Sequence, residues 1–238
     1  MANFVVDIGN TALKAAWADG VTLGKTYRYQ GERMLDFILS LVSGNRPDVM
    51  VLSSSREISQ QDEEKLKAVC NVLIVIDSLH KRVYEAKGIP EYITPDRLAS
   101  VVAAGYLFRD RGCTVFDFGT TLTIDFIAPD GRYSGGNISP GCRTRFKALN
   151  RYSRALPLLD TPESVDDIGT SLHASMESGV IKGIMFEVQG YLSLYPGNIV
   201  IFTGGDAIYF AKRIKNSIFV VCNLVLMGLA IVAAEYVG

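Results

Sequence analysis

Apolar positions along the chain repeat with two different periods, and the change of period shows where strands give way to helices. The first half predicts three strands and then helices that alternate with strands, at residues 4–8, 12–17, 21–29, 32–42, 48–53, 60–69 and 72–76. The second half predicts a similar order, at residues 114–118, 122–127, 132–138, 173–194, 198–202 and 206–214. Such alternation predicts an α/β fold.

The two halves share a motif, which is a strand that ends in an Asp-x-Gly turn and continues into a second strand. Asp7-Ile8-Gly9 forms this turn in the first half, and Asp117-Phe118-Gly119 forms it in the second. A hairpin turn containing Asp-Gly then follows in each copy. We therefore predict two tandem ribonuclease-H-like (actin-like) βββαβαβ domains, 1–112 and 113–238, with the active site in the cleft between them.

Two facing Asp-x-Gly hairpins have the chemistry of a phosphate clamp. Glycine lets each turn bring backbone N–H groups close to a phosphate, because no Cβ atom stands in the way. A carboxylate repels phosphate, but it can hold Mg²⁺ or its bound waters, and the metal then bridges to the phosphate oxygens. Side chains beside the two turns would add hydrogen bonds and positive charge, namely Asn10, Thr11, Lys14, Thr120 and Thr121.

Two glycine clusters in the second half, at 135–141 and 203–206, each lie between a predicted strand and a predicted helix. The N-terminus of a helix favours anions and nucleotides. Either cluster alone is explained equally well as an ordinary turn. Together with the paired hairpins, the clusters favour a nucleotide-binding site.

Composition and charge restrict the class of function. Hydrophobic residues make up 48 % of the sequence and charged residues 21 %, as in ordinary globular proteins. The net charge of −1 argues against a protein that works mainly by neutralising nucleic-acid phosphates. The densest group of basic residues is predicted to lie on one helix, on a surface that faces solvent or another subunit. The group comprises Arg143, Arg145, Lys147, Arg151 and Arg154.

Several features predict a cytoplasmic protein with no membrane span. The apolar run 218–234 approaches the length of about 17–25 residues that a span needs, but Asn223 interrupts it. A buried strand, an N-cap and a buried helix explain this run better. The chain enters a strand at once, with no signal-peptide pattern. The cysteines have no metal-type spacing and are interpreted as reduced core thiols, at Cys70, Cys113, Cys142 and Cys222.

The motifs occur together in an order that resembles the type III pantothenate kinase family. The matching segments are 7–11, 95–97, 117–120, 136–141 and 203–206. Each segment is short, but the set is specific and spans essentially the whole chain. The resemblance implies ATP-dependent phosphorylation of pantothenate by a homodimer. It also implies that ATP, Mg²⁺ and a monovalent cation, K⁺ or NH₄⁺, take part.

The resemblance implies roles for residues on the ATP side. Segment 7–14 would bind the ATP phosphates and Mg²⁺, and segment 203–206 would lie near adenosine. Asp7 would contact Mg²⁺ through water, and Asp117 would help to bind the monovalent cation. The implied ATP-binding residues are Asp7, Ile8, Gly9, Asn10, Thr11, Lys14, Thr120, Gly204 and Gly205.

On the acceptor side, the resemblance implies that Asp96 is the base that activates the pantothenate hydroxyl. Thr94, Pro95 and Arg97 would lie beside it in the substrate pocket. A carboxylate near the attacking hydroxyl suits phosphoryl transfer, because catalysis of this reaction consists mostly of positioning and charge neutralisation. Taken without the resemblance, an aspartate after proline also fits the N-cap of a helix over 98–108.

Three acceptor-side positions depart from the family pattern. Lys87 stands where the family has a tyrosine, Thr94 where it has a glycine, and Leu172 where it has a threonine that contacts pantothenate. All three are kept as candidate substrate-binding residues. Pantothenate would still bind with repositioned contacts, or the acceptor is another small alcohol. In a third interpretation, the chain is a nucleotide-binding accessory regulator that has lost catalysis.

Overall fold

The structure is a computed structural model that describes residues 2–80 and 82–237, apart from the side chain of the last of these. The chain divides into two compact units. The first comprises Met1–Arg109 and Asn223–Gly238, and the second comprises Asp110–Cys222. Each unit is built on one five-stranded sheet.

The elements follow one another along the chain much as the hydrophobic periods predict. The strands are β1 (Ala2–Ile8), β2 (Leu13–Asp19), β3 (Thr22–Tyr29), β4 (Val49–Ser54), β5 (Val72–Ile76), β6 (Cys113–Phe118), β7 (Thr121–Ile127), β8 (Tyr133–Pro140), β9 (Ile199–Thr203) and β10 (Ile218–Val220). The helices are α1 (Met34–Val42), α2 (Gln60–Ala68), α3 (Arg82–Lys87), α4 (Pro95–Leu107), α5 (Cys142–Tyr152), α6 (Leu172–Leu194), α7 (Ala207–Ala211) and α8 (Leu224–Val237).

The sheet of the first unit has the strand order β3-β2-β1-β4-β5. β1 is antiparallel to β2 and parallel to β4, and β5 is parallel to β4. The carboxyl ends of β1, β4 and β5 therefore lie at one edge of the sheet, which is where ligands bind in open α/β sheets. One face carries a core of buried apolar side chains, among them Phe4, Val6, Ile38 and Leu52, and α8 contacts β1 and β4.

The sheet of the second unit repeats this arrangement, with the order β10-β9-β6-β7-β8. β6 is antiparallel to β7 and parallel to β9, as β1 is to β2 and β4. Its core is aromatic, and the rings of Phe118 lie 4.8 Å from Phe202 and 4.9 Å from Phe210, measured between centroids. The long helix α6 buries Val180, Ile184 and other apolar residues at helical spacing against this core.

The repeated strand order confirms the predicted fold class of two tandem α/β sheets. The predicted boundary at residue 112 separates the elements of the two units with one exception. Helix α8 lies within the predicted second domain, 113–238, but belongs to the first unit. Two further predictions need correction. The helix predicted over 206–214 is only the short α7, and Cys222 is exposed, whereas the other three cysteines are buried.

The apolar run 218–234 forms β10 and most of α8, with Asn223 between them. The backbone carbonyl of Asn223 accepts the first helical hydrogen bond of α8, from the Met227 amide at 3.0 Å. Its side chain donates to Thr26 Oγ1 at 3.2 Å. None of the helices within residues 2–80 and 82–237 is long and apolar enough to cross a membrane.

Candidate active site

The first Asp-x-Gly turn connects β1 to β2 at the edge of the first sheet where the parallel strands β1, β4 and β5 end. The Gly9 amide donates to the Ala12 carbonyl oxygen at 3.1 Å and closes the turn. Ser55, just after β4, donates to the Ile8 carbonyl oxygen from its amide at 3.1 Å and from its hydroxyl at 3.2 Å. The turn is therefore held from both sides, while Asn10 and Thr11 at its tip remain exposed.

A cavity of about 440 Å³ opens beside this turn. The cavity is lined by the polar residues Asn10, Thr11 and Arg56 and by the apolar residues Ile38 and Leu66. Its volume falls within the range of small-molecule sites. The hydroxyl and amide groups at the tip of the turn thus line an open space that a ligand can reach.

Asp7 lies in β1 next to two polar partners. Ser53 of β4 donates from Oγ to Asp7 Oδ1 at 3.0 Å, and Lys14 is the cross-strand neighbour of Asp7 on β2. Burial raises the pKa of Asp7 to about 7, and the Asp96 carboxylate adds to this rise, whereas Ser53 and Lys14 oppose it. The Asp7 carboxylate is therefore poorly compensated, and a bound cation would stabilise its charged form.

Asp96 lies in the first turn of α4. Thr94 is the N-cap residue of this helix and Pro95 its first residue, so Asp96 is not the N-cap that its sequence position also suggested. The helix begins at Pro95, three residues before the predicted start at 98. Oδ1 of Asp96 is buried and has no hydrogen-bond partner among the residues that the structure describes. A buried carboxylate oxygen without a partner in the protein is available to accept a hydrogen bond from a bound molecule or from water.

The other acceptor-side candidates lie in different environments. Arg97 is buried, with 4 % of its surface exposed, and Thr94 is exposed. Lys87 ends α3 and forms an ion pair with Glu235 of α8. Leu172 is the first residue of α6 in the second unit and is 51 % exposed, after Ser171, whose hydroxyl caps this helix.

The second Asp-x-Gly turn connects β6 to β7. The Gly119 amide donates to the Thr121 carbonyl oxygen at 3.0 Å. The Thr120 carbonyl oxygen accepts two hydrogen bonds, from the Gly141 amide at 3.1 Å and from Thr144 Oγ1 at 2.6 Å. A Cβ atom at Gly141 would come closer than 3.0 Å to the Gly119 and Thr120 carbonyl oxygens. The start of α5 therefore supports the back of this turn.

Gly204 brings the second glycine cluster against Asp117. The parallel register pairs Asp117 of β6 with Thr203 of β9, and Gly204 follows with a positive φ of 91°. A Cβ atom there would come closer than 3.0 Å to Asp117 Oδ1 and to the Phe118 carbonyl oxygen. That carbonyl oxygen accepts from the Asp206 amide at 3.1 Å. Asp117 and Gly204 thus form one surface at the edge of the second sheet, where Gly205 is exposed.

The sequence profile of type III pantothenate kinases matches residues 3–193. The chain belongs to the type III pantothenate kinase family. A type III pantothenate kinase of Phocaeicola vulgatus is 36 % identical over 232 residues, which cover 95 % of this chain and 96 % of the relative.

Solved structures of other proteins have a fold similar to that of this chain. A Baf family transcriptional activator from Campylobacter jejuni has a TM-score of 0.65 and is 21 % identical, with 98 % of each chain covered. The ROK hexokinase of Thermus thermophilus has a TM-score of 0.58 and is 13 % identical, with 100 % of each chain covered. The fold of this pantothenate kinase family member is thus one that it shares with sugar kinases.

Sequence reasoning missed two residues of this pantothenate kinase family member. Ser53 contacts Asp7, and Tyr84 lies close enough to Asp96 for the carboxylate to raise the pKa of the Tyr84 hydroxyl, although burial is the larger cause. The run Ser53–Ser55 at the carboxyl end of a buried parallel strand is a signal that could have located Ser53. Tyr84 gives no such signal, since it lies in a short helix.

Within the described part of the chain, no three His, Cys, Asp or Glu side chains come together as a metal site. A metal held at Asp7 would therefore take most of its ligands from phosphate oxygens and water, as Mg²⁺ commonly does at nucleotide sites.

Proposed function

We propose that the protein catalyses ATP-dependent phosphorylation of pantothenate to 4′-phosphopantothenate, the first step of coenzyme A biosynthesis. The observation that carries the proposal is the pair Asp7 and Asp96. Asp96 has a buried, unpartnered carboxylate oxygen and is close enough to Asp7 to raise its pKa. A candidate base and a candidate phosphate turn thus lie together in one unit, within a family of pantothenate kinases.

The ATP phosphates would bind at the first turn. Gly9, Asn10 and Thr11 offer backbone and side-chain donors there, and Lys14 adds positive charge beside Asp7. Mg²⁺ would be held by Asp7 through water, where it would neutralise charge on the transferred phosphoryl group. The raised pKa of Asp7 fits such a partner, because a cation favours the charged carboxylate over the protonated one.

In the second unit, Thr120, Gly204 and Gly205 would contact ATP, and Asp117 would help to bind K⁺ or NH₄⁺. The close approach of Gly204 to Asp117 supports this assignment, because any larger residue would fill the space beside the carboxylate. Hard cations such as K⁺ bind oxygen ligands, and the Asp117 carboxylate supplies one. The cation would offset the repulsion between this carboxylate and the ATP phosphates.

Pantothenate would bind next to the start of α4, with Asp96 accepting the proton of its hydroxyl. The buried Oδ1 of Asp96 leaves an acceptor for that hydroxyl, and a base must come within hydrogen-bond reach of the proton it removes. Thr94, Pro95 and Arg97 adjoin this carboxylate along the chain. Leu172 is the acceptor-side candidate in the second unit, where its exposed side chain would make an apolar contact.

Asp96→Asn tests the proposed base. The variant keeps the size of the side chain but loses the proton acceptor, so turnover should fall by roughly 10²–10⁴-fold. Binding of MgATP, measured by calorimetry, should change little. Asp36→Asn is the matched control, since Asp36 is an exposed carboxylate in the first turn of another helix, α1. Turnover in Asp96→Asn that equals the Asp36→Asn value would remove Asp96 from the mechanism.

The proposal extends to a cytoplasmic homodimer. Exposed aromatic side chains on the second unit support a subunit contact, because Tyr152 is 86 % exposed and Phe186 is 67 % exposed. The free cysteines are consistent with a reducing compartment. Sedimentation equilibrium should give twice the chain mass, and a Phe186→Glu variant should weaken that association. A monomer at all protein concentrations would contradict the proposed dimer.

A further inference from the structure

Residues 88–94 connect α3 to α4 and lead directly to Asp96. Tyr84 of α3 forms hydrogen bonds near both ends of this segment. The Tyr84 hydroxyl donates to the Ile93 carbonyl oxygen at 2.8 Å, and the Tyr84 carbonyl oxygen accepts from the Ile89 amide at 3.0 Å. Tyr84 is only 1 % exposed, and its burial raises the pKa of the hydroxyl, which therefore stays a donor. Two hydrogen bonds thus tie segment 88–94 to α3.

α3 is in turn joined to the C-terminal end of α8 at both of its ends. Arg82, its first residue, donates from Nη1 to the Tyr236 hydroxyl at 3.1 Å, and its guanidinium lies 5.4 Å from the centre of that ring. Lys87, its last residue, forms an ion pair with Glu235. Two neighbouring residues of α8 therefore contact both ends of α3.

α8 is itself fixed against α4, the helix that carries Asp96. A Cβ atom at Gly228 would come closer than 3.0 Å to backbone atoms of Ala99, so the two helix backbones are in direct contact. Leu229 and Ala230 are fully buried beside it. α8 thus contacts α4 directly and is linked to segment 88–94 through α3.

We propose that Lys87 is a positioning residue of the acceptor site and acts through Glu235. The ion pair holds α3 on α8, and α3 holds segment 88–94 through Tyr84, so that the start of α4 presents Asp96 to the substrate. Lys87 then has no need to contact pantothenate, although it stands where the family has a tyrosine. The catalytic part of this inference rests on the proposed function.

The ion pair is a weak contributor to global stability. The Lys87 side chain is 25 % exposed and that of Glu235 is 53 % exposed, and ion pairs this open to solvent contribute little to stability. Catalysis is more sensitive to position, because a displacement of about 1 Å can cost about 10²-fold in rate. Loss of the pair should therefore appear in acceptor kinetics and not in the melting temperature.

Three variants distinguish a positioning role of Lys87 from a direct contact with pantothenate. They are Lys87→Met, Glu235→Gln and the double variant Lys87→Glu/Glu235→Lys. Each single variant should lower kcat/KM for pantothenate by about two- to fivefold and leave the KM for ATP within about twofold. The double variant restores the pair with its charges exchanged, so it should return kcat/KM for pantothenate to within about 1.5-fold of the parent. Lys67→Met is the matched control, because it breaks the Lys67–Glu63 pair of α2, in which the Lys67 side chain is 59 % exposed.

A direct contact between Lys87 and pantothenate would give a different pattern. Lys87→Met would then be impaired, Glu235→Gln would behave like the parent, and the double variant would be no better than Lys87→Met. That pattern would overturn the proposal. The proposal would also fail if Lys87→Met and Glu235→Gln had the same kinetic constants as Lys67→Met.

Amide hydrogen exchange tests the same inference without any substrate. In Glu235→Gln, the amides of residues 88, 89 and 91–94 should exchange about two- to fivefold faster than in the parent, because α3 opens more often. Exchange in α2 should stay unchanged. Unchanged exchange at 88–94 would overturn the positioning role whether or not the protein phosphorylates pantothenate. A parent protein without pantothenate-dependent turnover would instead contradict the proposed function, and the exchange result would still decide the role of Lys87.

Discussion

Ser53 donates a hydrogen bond from Oγ to Oδ1 of Asp7 at 3.0 Å, across two neighbouring parallel strands near their carboxyl ends. The bond stabilises the charged carboxylate and so opposes the rise in pKa that burial causes. The second unit pairs Asp117 with Thr203 in the same register. In both units, a hydroxyl residue on the parallel neighbour therefore accompanies the aspartate of the Asp-x-Gly turn.

Ser53→Ala should lower kcat/KM for ATP by about 10-fold, because a hydrogen bond to a charged group contributes about 1.5–3 kcal/mol. Ser53→Thr should recover most of the loss, since threonine keeps the hydroxyl. Steady-state kinetics with varied MgATP measure both. Ser40→Ala is the control, because Ser40 is an exposed serine whose hydroxyl donates to the Phe37 carbonyl oxygen of its own helix. Equal kinetics for Ser53→Ala and Ser40→Ala would contradict the assigned role.

Asp7→Asn should stabilise the ligand-free protein at alkaline pH. The pKa of Asp7 is about 7 in the folded chain, against 3.8 as its ordinary value. Below pH 3.8 the carboxyl group is protonated in both states and costs nothing. Between pH 3.8 and 7 the unfolded chain releases the proton first, so folding becomes less favourable as the pH rises. Above pH 7 the cost is constant.

The gain in unfolding free energy from Asp7→Asn should therefore be roughly 2–3 kcal/mol larger at pH 8 than at pH 5. Urea unfolding without nucleotide or Mg²⁺ measures it, and Asp36→Asn gives the baseline for an exposed carboxylate. A gain independent of pH would show that Asp7 ionises normally.

Gly141→Ala should disrupt the second turn. The added Cβ would overlap the Gly119 and Thr120 carbonyl oxygens, so the turn or the start of α5 must shift. We expect ATP affinity to fall about tenfold and the protein to lose roughly 1–3 kcal/mol of stability. Calorimetric titration with ATP and thermal unfolding check the two effects. In Gly190→Ala, the Cβ meets none of the described atoms within 4 Å outside its own stretch of helix, so stability should rise slightly. The prediction fails if both variants bind ATP alike.

Gly228→Ala should destabilise the first unit, because the new methyl group would overlap the backbone of Ala99 in α4. Overpacking of this kind costs about 1–3 kcal/mol. Chemical denaturation of this variant should show a lower midpoint than that of Gly179→Ala, whose Cβ meets open space. Equal midpoints would show that α8 is not packed tightly on α4.

Local patterns in the sequence predicted the strands and the two turns, since Asp7-x-Gly9 and its second copy combine a turn signal with a buried strand. The position of α8 could not be predicted in this way. It depends on the packing of Gly228 on Ala99, two residues that are distant in the chain. The Lys87–Glu235 pair joins residues 148 positions apart, and no periodicity encodes such a contact.

ADP release with MgATP and K⁺, measured with and without pantothenate, is the first test of whether the protein phosphorylates pantothenate. We expect ADP release to depend on pantothenate and 4′-phosphopantothenate to form in equal amount. ADP release that pantothenate does not increase, in a protein that still binds ATP, would contradict the assignment of pantothenate as the acceptor.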